Sequence, residues 1–473
     1  MVVCSKRKAV GSVDTISRVD TLRLVIIGGS DAGISAAIRA REVRPATHVR
    51  LIVADSFPNF SICGLPFYLS GEVPDWHSLA HRTRNEIQAH GIELHLEETA
   101  VEIDAAGKQL VTRSRGGQLN RYGYDRILIA TGAVPVRPAI PGLELPNVFT
   151  LHTMEECFAL HRALAAAARS AVIVGGGYIG LEMADALRHR NLTVTLVEQL
   201  PALMRTVDSP MARRVGSLLR AHGVEVRTKA TVDSIVEIND RLQVRCADGY
   251  SVEGDLVLVV VGVRPQSNLA KACDVRTNER GAIHVDRGMR TNRPEIFAAG
   301  DCVVTWHRLL ERDLYLPLGT TSHKQGRVAG ENAVGGDRVF EGSVGTQCVK
   351  MFDRVVAATG LREEDVPSYG FVPLAIEVTT YDHKTYYPGA TEMIVRLVGD
   401  VPSGRLLGGQ IFGAYGKEVS KRIDTIATAL HYRARVDELN DFDLSYTPPL
   451  SSPWDPVQVA AQAWVVARDR QVA

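Results

Sequence analysis

The stretch LRLVIIGGSDAGISAAIRA, residues 22–40, decides the fold, because an apolar strand leads into a glycine turn and then into a helix. A second stretch, AVIVGGGYIGLEMADAL at residues 171–187, repeats the same order. In such a unit the first glycine permits the tight turn, the second admits a pyrophosphate, and the third lets helix and strand pack closely. The chain is therefore predicted to contain two dinucleotide-binding units.

Each glycine turn stands inside a strand–helix–strand unit, a pattern that predicts parallel sheets covered by helices. The second strand of each unit ends close to an acid, Asp55 or Glu198, that can accept hydrogen bonds from a ribose hydroxyl. A carboxylate at Glu198 suits the 2′-hydroxyl of NADH and repels the 2′-phosphate of NADPH, although Arg205 nearby leaves NADPH open. The predicted elements are Leu22–Ile27, Ile34–Arg44, Val49–Val53, Ala171–Val174, Ile179–His189 and Thr193–Val197.

Two related segments combine an apolar strand, a glycine turn and a proline: YDRILIATGAVPVRP at residues 124–138 and GDLVLVVVGVRPQSNLA at residues 254–270. They mark where the chain leaves and re-enters a nucleotide domain, so the second domain is predicted to be inserted into the first. In RPEIFAAGDC, Asp301 could bind a ribityl hydroxyl or cap a helix. The predicted cofactor-binding residues are Gly28, Gly29, Ser30, Ala32, Gly33, Asp55, Ala130, Thr131, Gly132, Asp301, Gly175, Gly177, Tyr178, Ile179, Gly180, Glu182, Glu198 and Gly262.

Size and composition indicate a soluble protein of about three domains. The chain has 473 residues with 54 basic and 54 acidic side chains, so no strong field draws it to nucleic acid or membrane. The longest apolar run, Leu256 to Val263, is too short to cross a bilayer. The seven cysteines show no CxxC spacing, which predicts a reducing, cytoplasmic setting without disulfides or a metal site. Residues 1–20 are predicted to be a flexible leader.

One cysteine, Cys63 in NFSICGLPFYLSG, follows the first glycine turn. A thiolate is the nucleophile of disulfide exchange, and a helix N-terminus with positive surroundings lowers a thiol pKa to roughly 3.5–7.5. The segment CGLPFYLSG predicts a turn leading into a short helix, which would supply such activation. The alternative is an inert buried cysteine, a common fate of this residue type. We expect the other cysteines to be inert.

Together these residues resemble the pyridine nucleotide–disulfide oxidoreductases, over nearly everything from Leu22 to Pro456. The absence of a second thiol after Cys63 disfavours the glutathione reductase branch, which carries a CxxxxC pair. SICGLPFYLSGEV is similar to the redox motif of the single-cysteine branch of coenzyme A disulfide reductases, NADH oxidases and NADH peroxidases, although Ile62 replaces a frequent asparagine. Asp31 stands where the oxidases and peroxidases carry a histidine, which puts peroxide or oxygen reduction by that arrangement in doubt.

The resemblance implies an α/β protein with two Rossmann-like domains, FAD and NADH as cofactors (NADPH remaining open), and a homodimer. The implied FAD domain comprises residues 21–140 and 263–337, with the NAD(P)H domain, residues 141–262, inserted into it. Residues 338–473, with a mixed strand and helix pattern, would form an α+β dimerisation domain. Within these domains Glu182 is expected near the flavin and nicotinamide or in a packing role, and Lys324 is expected to begin a helix.

Two later segments, YDHKTYYPGA and DFDLSYTPPLSSPWDPV, resemble parts of coenzyme A disulfide reductases that bring tyrosines to the thiol, one of them across the dimer interface. The resemblance implies catalytic roles for Tyr446 and Tyr386 and a substrate contact for Tyr387, with the choice between the adjacent pair open. A phenol can donate a proton to a departing thiolate, or it can simply pack at an interface. Arg39 and Arg41 are implied to meet a coenzyme A nucleotide, or they form a solvated basic face.

The implied activity is FAD-dependent, NAD(P)H-driven reduction of a small disulfide or persulfide, such as coenzyme A disulfide, through Cys63. One cysteine suffices because the substrate sulfur serves as its exchange partner. A first alternative keeps the fold and lets Cys63 cycle through a sulfenate while reducing peroxide or oxygen. A second alternative is a flavoprotein that passes electrons to a partner protein, with Cys63 a bystander.

Overall fold

The computed structural model describes residues 21–166 and 168–472, so the predicted leader lies outside the described residues. The strands in chain order are β1 (Arg23–Ile27), β2 (His48–Ile52), β3 (Ile92–His95), β4 (Glu98–Asp104), β5 (Gln109–Ser114), β6 (Leu119–Gly123), β7 (Arg126–Ile129), β8 (Ala133–Pro135), β9 (Val148–Phe149), β10 (Ser170–Val174), β11 (Thr193–Val197), β12 (Val224–Arg227), β13 (Val232–Ile238), β14 (Arg241–Cys246), β15 (Ser251–Gly254), β16 (Leu256–Val259), β17 (Val263–Pro265), β18 (Ile296–Ala298), β19 (Thr305–His307), β20 (Arg312–Leu314), β21 (Gln347–Met351), β22 (Arg354–Gly360), β23 (Pro373–Tyr381), β24 (Glu392–Asp400) and β25 (Leu406–Ala414).

The helices connect and cover these strands. In chain order they are α1 (Asp31–Val43), α2 (Leu65–Ser70), α3 (Arg84–Ala89), α4 (Met154–Ala165), α5 (Tyr178–His189), α6 (Ser209–Ala221), α7 (Asn268–Ala272), α8 (Gly319–Ala333), α9 (Val419–His431), α10 (Val436–Asn440) and α11 (Pro456–Val472). Within the part of the chain that the structure describes, no helix combines the length and apolar character needed to cross a membrane.

The first parallel sheet has the order β18-β7-β1-β2-β3. The chain leaves this sheet after β7 and returns to it only with β18, which pairs in parallel with β7. Side chains of β1 alternate between two buried faces. Leu24 and Ile26 pack on the side of α1 and α8, while Val25 and Ile27 pack on the side of β4–β6. The first nucleotide unit is thus a three-layer structure built from two separate parts of the chain.

The second parallel sheet, β12-β11-β10-β16-β9, repeats this plan within the inserted segment. Ile173 of β10 packs toward α5, and Val172 packs toward β13–β15. The two nucleotide units are joined by the antiparallel pair β8–β17, in which Val134 faces Arg264. The prediction of two Rossmann-like units, one inserted into the other, is confirmed. An antiparallel sheet rather than helices covers one face of each, because such a sheet can bury one side and expose the other.

Helices α1 and α8 pack closely because glycines on one meet the backbone of the other. A Cβ at Gly326 would lie 2.2 Å from the carbonyl oxygen of Ala32, and a Cβ at Gly330 would lie 2.2 Å from that of Ala36. This approach places the middle of α8 against the first turns of α1. Lys324 lies inside α8, which begins at Gly319, so the prediction that Lys324 begins the helix is wrong.

The C-terminal domain is built on an antiparallel sheet of order β21-β22-β25-β24-β23, against which α9, α10 and α11 pack. Trp464 of α11 is fully buried, and its indole Nε1 donates to the carbonyl oxygen of Leu374 at 2.7 Å. The α+β prediction for this region is confirmed.

The strand and helix bounds predicted around the two glycine turns differ little from those observed. The largest difference is at α1, which begins at Asp31 rather than Ile34, because extended Ser30 already serves as its N-cap residue. The apolar run from Leu256 forms a strand only to Val259, and the chain then turns through Gly262 at φ +112°.

Candidate active site

The first glycine turn forms a cradle that side chains would fill. Gly28 has φ +115°, and a Cβ there would lie 2.1 Å from the carbonyl oxygen of Ala130. A Cβ at Gly33 would lie 1.8 Å from the Gly28 oxygen, and one at Gly29 would overlap Val53. The turn therefore needs glycine at these three positions, which fits a backbone loop that approaches a dinucleotide pyrophosphate.

The N-termini of α1 and α5 are suited to hold phosphate. Ser30 caps α1 and Gly177 caps α5, and neither makes a side-chain hydrogen bond to its helix. The first backbone N–H groups of each helix therefore keep their donors for an anion, and the helix dipole favours negative charge there. Ala32 is buried in the first turn of α1, and Ile179 is half-buried in that of α5.

The acids predicted for the FAD ribose and ribityl groups lie at strand ends of the first sheet. Asp55 accepts a hydrogen bond from the backbone N–H of Phe57 at 2.8 Å and lines a cavity of about 600 Å³. The Asp301 carboxylate accepts from the Ser322 hydroxyl at 2.7 Å, and burial raises its pKa. Thr131 donates its hydroxyl to the carbonyl oxygen of Gln266.

The second glycine turn repeats the geometry of the first. A Cβ at Gly175 would lie 2.5 Å from the carbonyl oxygen of Val260, and one at Gly180 would lie 2.0 Å from that of Gly175. Three other glycines have free space where a side chain would be. A Cβ would meet no described atom within 4 Å at Gly132, Gly177 or Gly262. Their outer faces are therefore open for a ligand.

Glu198 faces the second glycine turn and also stabilises it through hydrogen bonds to the backbone. Its carboxylate accepts from the backbone N–H of Gly176 at 2.7 Å and from that of Leu200 at 2.8 Å. The side chain is 9% exposed, so its negative charge is directed at the turn rather than at solvent. The sequence predicted the ribose contact but not this second, structural role.

The charge of Glu198 leads to a prediction about cofactor preference. Glu198→Gln removes the repulsion toward a 2′-phosphate, so kcat/KM for NADPH relative to NADH should rise by about tenfold. The measurement is steady-state kinetics with both cofactors. Glu237→Gln, an exposed change on β13 of the same domain, is the control. An unchanged ratio in Glu198→Gln would contradict the assignment.

Glu182 lies one turn into α5, on a helix whose opposite side forms the core. Burial, and then the carboxylate of Asp185, raises the pKa of Glu182 to about 7. Tyr178, at the first position of the same helix, exchanges a hydrogen bond of 2.8 Å with the Thr206 hydroxyl, and burial raises its pKa. Both residues thus present poorly solvated polar groups beside the second turn.

The raised pKa of Glu182 predicts a pH-dependent stability. The folded-state pKa lies above the ordinary value, so the protonated acid stabilises the fold at low pH, and this contribution is lost as pH rises through about 7. Above pH 7, the unfolding temperature of Glu182→Gln should therefore lie a few degrees higher than that of the wild type. In acid the two unfolding temperatures should be the same. Thermal scans of the FAD-containing protein measure this, with exposed Glu144→Gln as control. Parallel curves at all pH values would disprove it.

Cys63 lies in a short 3₁₀ turn, Ile62–Gly64, directly before α2. It is exposed, as is Cys348, whereas the other cysteines of the described residues are buried. The short helix predicted after Cys63 is present. The expected lowering of the thiol pKa is not: the depth of the sulfur among protein atoms, and then the carboxylates of Glu182, Asp31 and Asp301, raise the pKa of Cys63. Burial of the sulfur, together with these negative charges, outweighs any effect of the helix N-terminus.

Backbone hydrogen bonds fix the Cys63 segment to the first glycine turn and to the chain at Leu79. The N–H of Asn59 donates to the Gly29 oxygen at 2.7 Å, and the N–H of Ser61 donates to the Leu79 oxygen at 2.8 Å. The segment that leads to the thiol is therefore attached to the loop that is suited to the FAD pyrophosphate.

The three predicted tyrosines lie on the C-terminal domain, in the loop after β23 and in the segment before α11. Tyr386, Tyr387 and Tyr446 are 71%, 43% and 44% exposed. A side-chain hydrogen bond with Tyr446 is the first cause of the raised pKa of Tyr386, so the structure brings these two phenols together. Tyr387 instead packs edge-on against the ring of His383.

The two arginines predicted to meet a nucleotide have partners within the chain. Arg39 pairs with Glu331 at 2.8 Å and with Glu42 at 3.0 Å. The guanidinium of Arg41 donates to the carbonyl oxygens of His90 at 3.1 Å and Thr47 at 2.8 Å. A substrate phosphate would have to share or displace these contacts.

The structure also shows polar pairs that the sequence analysis missed. Asp31 pairs with His323 of α8, and buried Asp382 accepts from buried His383 at 2.6 Å. No sequence spacing connects Asp31 with His323, while the adjacency of Asp382 and His383 was visible. Across the described ranges, no group of three or more His, Cys, Asp and Glu side chains could hold a metal ion.

Comparison with known proteins identifies the family. The model of the pyridine nucleotide-disulphide oxidoreductases matches residues 22–333, and that of the dimerisation domain of this family matches residues 346–456. The chain belongs to the pyridine nucleotide-disulphide oxidoreductase family. It is an enzyme of this family, and the family uses FAD and NAD(P)H.

Three relatives show which members of the family are similar. A CoA-dependent NAD(P)H sulfur oxidoreductase of Pyrococcus furiosus is 32% identical over 93% of this chain and 98% of its own. The structure of an NAD-dependent persulfide reductase from A. fulgidus has a TM-score of 0.91 at 34% identity, covering 95% of this chain and 84% of that one. Reduced Bacillus anthracis CoADR-RHD has a TM-score of 0.92 at 30% identity, covering 95% and 81%.

Proposed function

We propose that this enzyme uses NADH and bound FAD to reduce a small-molecule disulfide or persulfide through Cys63. The observation that carries the proposal is the position of Cys63: an exposed thiol whose segment is hydrogen-bonded to the first glycine turn. The second glycine turn, with Glu198 directed at it, supports NADH as the electron donor.

The chemistry divides between the cofactors and the residues of this chain. FAD held at the first glycine turn would supply the sulfur with the electron pair that NADH provides. The Cys63 thiolate attacks one sulfur of the substrate, the substrate S–S bond breaks, and one thiolate leaves and takes up a proton. The electron pair then cleaves the Cys63–substrate disulfide and releases the second thiol. In sum, one disulfide, one NADH and one proton give two thiols and NAD⁺.

The tyrosines are proposed to handle the proton of the departing thiolate. The contact with Tyr446 raises the pKa of Tyr386, so the Tyr386 phenol stays protonated and available as a proton donor. Both are well exposed on the C-terminal domain, as groups that serve a neighbouring subunit would be. We therefore propose a homodimer in which each subunit presents this pair to the Cys63 of its partner.

Coenzyme A disulfide or coenzyme A persulfide is the proposed substrate. Support comes from the relatives, whose names include CoA-dependent sulfur reduction and persulfide reduction. Tyr387, Arg39 and Arg41 are the proposed contacts to the substrate. Since both arginines are already paired within the chain, they would bind phosphate through rearranged side chains.

The experiment is a screen of NADH oxidation over coenzyme A disulfide, coenzyme A persulfide, glutathione disulfide, peroxide and oxygen. Turnover with a thiol substrate at rates well above those with oxygen and peroxide is expected. Preference for oxygen or peroxide would support the sulfenate cycle instead. Turnover only with an added electron-carrier protein would show that Cys63 is a bystander.

A further inference from the structure

One lysine side chain connects the three domains. Lys350 lies on β21 of the C-terminal domain, and its Nζ lies 2.9 Å from Oε1 of Glu72, two residues after α2. The same Nζ lies 3.2 Å from Oδ2 of Asp185 on α5. Glu72 belongs to the first nucleotide unit and Asp185 to the second. A single positive charge therefore joins one residue from each of the other two domains.

The acid that follows α2 belongs to the segment that carries Cys63. The 3₁₀ turn around Cys63 continues directly into α2, because the backbone N–H of Leu65 donates to the carbonyl oxygen of Ile62. The Nζ of Lys350 also lies 5.8 Å from the ring centre of Phe67 on α2. The lysine thus contacts the helix after Cys63 as well as the acid beyond its end.

Helix α2 depends on the other domains for its position. It has only six residues, and an isolated helix of that length is not stable in water. Its buried residues Leu65 and Leu69 pack in the hydrophobic core that also contains side chains of α5 and β21. The carbonyl oxygen of Leu69 accepts from the guanidinium of Arg190, at the end of α5. Contacts with the second nucleotide unit and the C-terminal domain therefore determine where α2 lies.

Loss of the lysine charge would affect the two acids unequally. Both carboxylates are at ion-pair distance from the same Nζ, so without its charge they repel each other. Asp185 is 9% exposed at its side chain and accepts from the backbone N–H of Phe352 at 2.9 Å. Glu72 is 37% exposed, and it accepts from the hydroxyl of Ser70, the last residue of α2. Glu72 and the end of α2 are therefore the parts that would move.

We propose that Lys350 is a positioning residue for the reacting thiol, which together with Glu72 holds α2, and through α2 Cys63, in the place that disulfide exchange requires. Reactions between bound groups are sensitive to small displacements, and a misplacement of about 1 Å can cost about 100-fold in rate. The lysine itself needs no contact with substrate or cofactor for this role. The inference rests on the proposed role of Cys63 as the reacting thiol.

Kinetics of Lys350→Met, which removes the charge and keeps most of the side-chain length, test this role. The kcat for the disulfide should fall by about tenfold, because the thiol is displaced. The KM for NADH and the reduction of ferricyanide, which needs no thiol, should stay close to the wild-type values, because α5 keeps its place. Lys350→Arg retains the charge and should restore disulfide turnover. Lys421→Met, which removes an exposed lysine of α9, is the control.

Glu72→Gln tests whether the lysine acts through the acid after α2. Alone it should reproduce the selective loss of disulfide turnover. Combined with Lys350→Met it should cause no further loss, because the two residues form one contact. Equal losses of disulfide and ferricyanide reduction, or additive effects of the two changes, would overturn the proposal.

Hydrogen exchange of the FAD-containing protein measures the stability of α2 without turnover. In Lys350→Met the backbone amide of Gly71, which donates to the carbonyl oxygen of Tyr68 at 3.1 Å, should exchange about tenfold faster. Amides of α5 should exchange as in the wild type. Faster exchange in both helices alike, or in neither, would contradict the proposal. The proposed function fails separately, if Cys63→Ser retains disulfide turnover while α2 still exchanges faster in Lys350→Met.

Discussion

Cys63→Ser should abolish disulfide or persulfide reduction, with a loss of about 1,000-fold or more in kcat, because a serine hydroxyl cannot exchange with a disulfide. The same variant should keep FAD and still be reduced by NADH. Reduction of an artificial one-electron acceptor such as ferricyanide needs no thiol. It should therefore continue at a rate near that of the wild type. Parallel assays with ferricyanide and with the disulfide that the wild type reduces fastest measure the two activities.

A second thiol provides the control for this prediction. Cys273→Ser removes a buried sulfur that contacts the carbonyl oxygens of Leu269 at 3.3 Å and Ala270 at 3.4 Å, which a serine hydroxyl can also use. This variant should retain both activities. If Cys63→Ser and Cys273→Ser reduced the disulfide equally well, the thiol would have no part in catalysis.

Gly33→Ala and Gly180→Ala should separate the two cofactor sites. At Gly33 the new Cβ meets the Gly28 oxygen at 1.8 Å, so the first turn must move and the protein should be purified with little FAD. At Gly180 the corresponding distance to the Gly175 oxygen is 2.0 Å, so FAD should be retained. In Gly180→Ala the KM for NADH should rise by about 10- to 100-fold, because the added methyl group overpacks the turn.

A glycine outside both turns controls for helix substitution in general. A Cβ at Gly216 on α6 would meet only the end of the flexible Arg220 side chain, at 3.2 Å. Gly216→Ala should bind both cofactors normally. The flavin spectrum of each purified variant and its NADH kinetics provide the measurements. Full FAD content in Gly33→Ala, or an unchanged NADH KM in Gly180→Ala, would contradict the assignment of the turns.

The sequence predicted the fold well because its decisive signals are local. A glycine between an apolar strand and a helix is visible as a short motif, and the structure shows why no side chain fits at Gly28, Gly33 or Gly180. The recurrence of the motif revealed two nucleotide units, and the paired segments that form β8 and β17 marked where the insertion begins and ends.

The environment of the site could not be predicted in the same way, because it depends on contacts between distant parts of the chain. His323 meets Asp31 only through the close packing of α8 on α1. The partners of Arg39 and Arg41, likewise, come from α8 and from the turn at His90. A lowered thiol pKa was expected from the local helix, but burial of the sulfur, and then three carboxylates from separate segments, raise the pKa of Cys63.

The most direct test of the account is to trap the proposed covalent intermediate. The reduced enzyme is mixed with the disulfide that it turns over fastest, quenched in acid and digested, and the mass of each cysteine peptide is determined. We expect half of the substrate on Cys63, and its release after one equivalent of NADH is added. Continued NADH-driven turnover with an unmodified Cys63, or with the adduct on a different cysteine, would contradict the central claim.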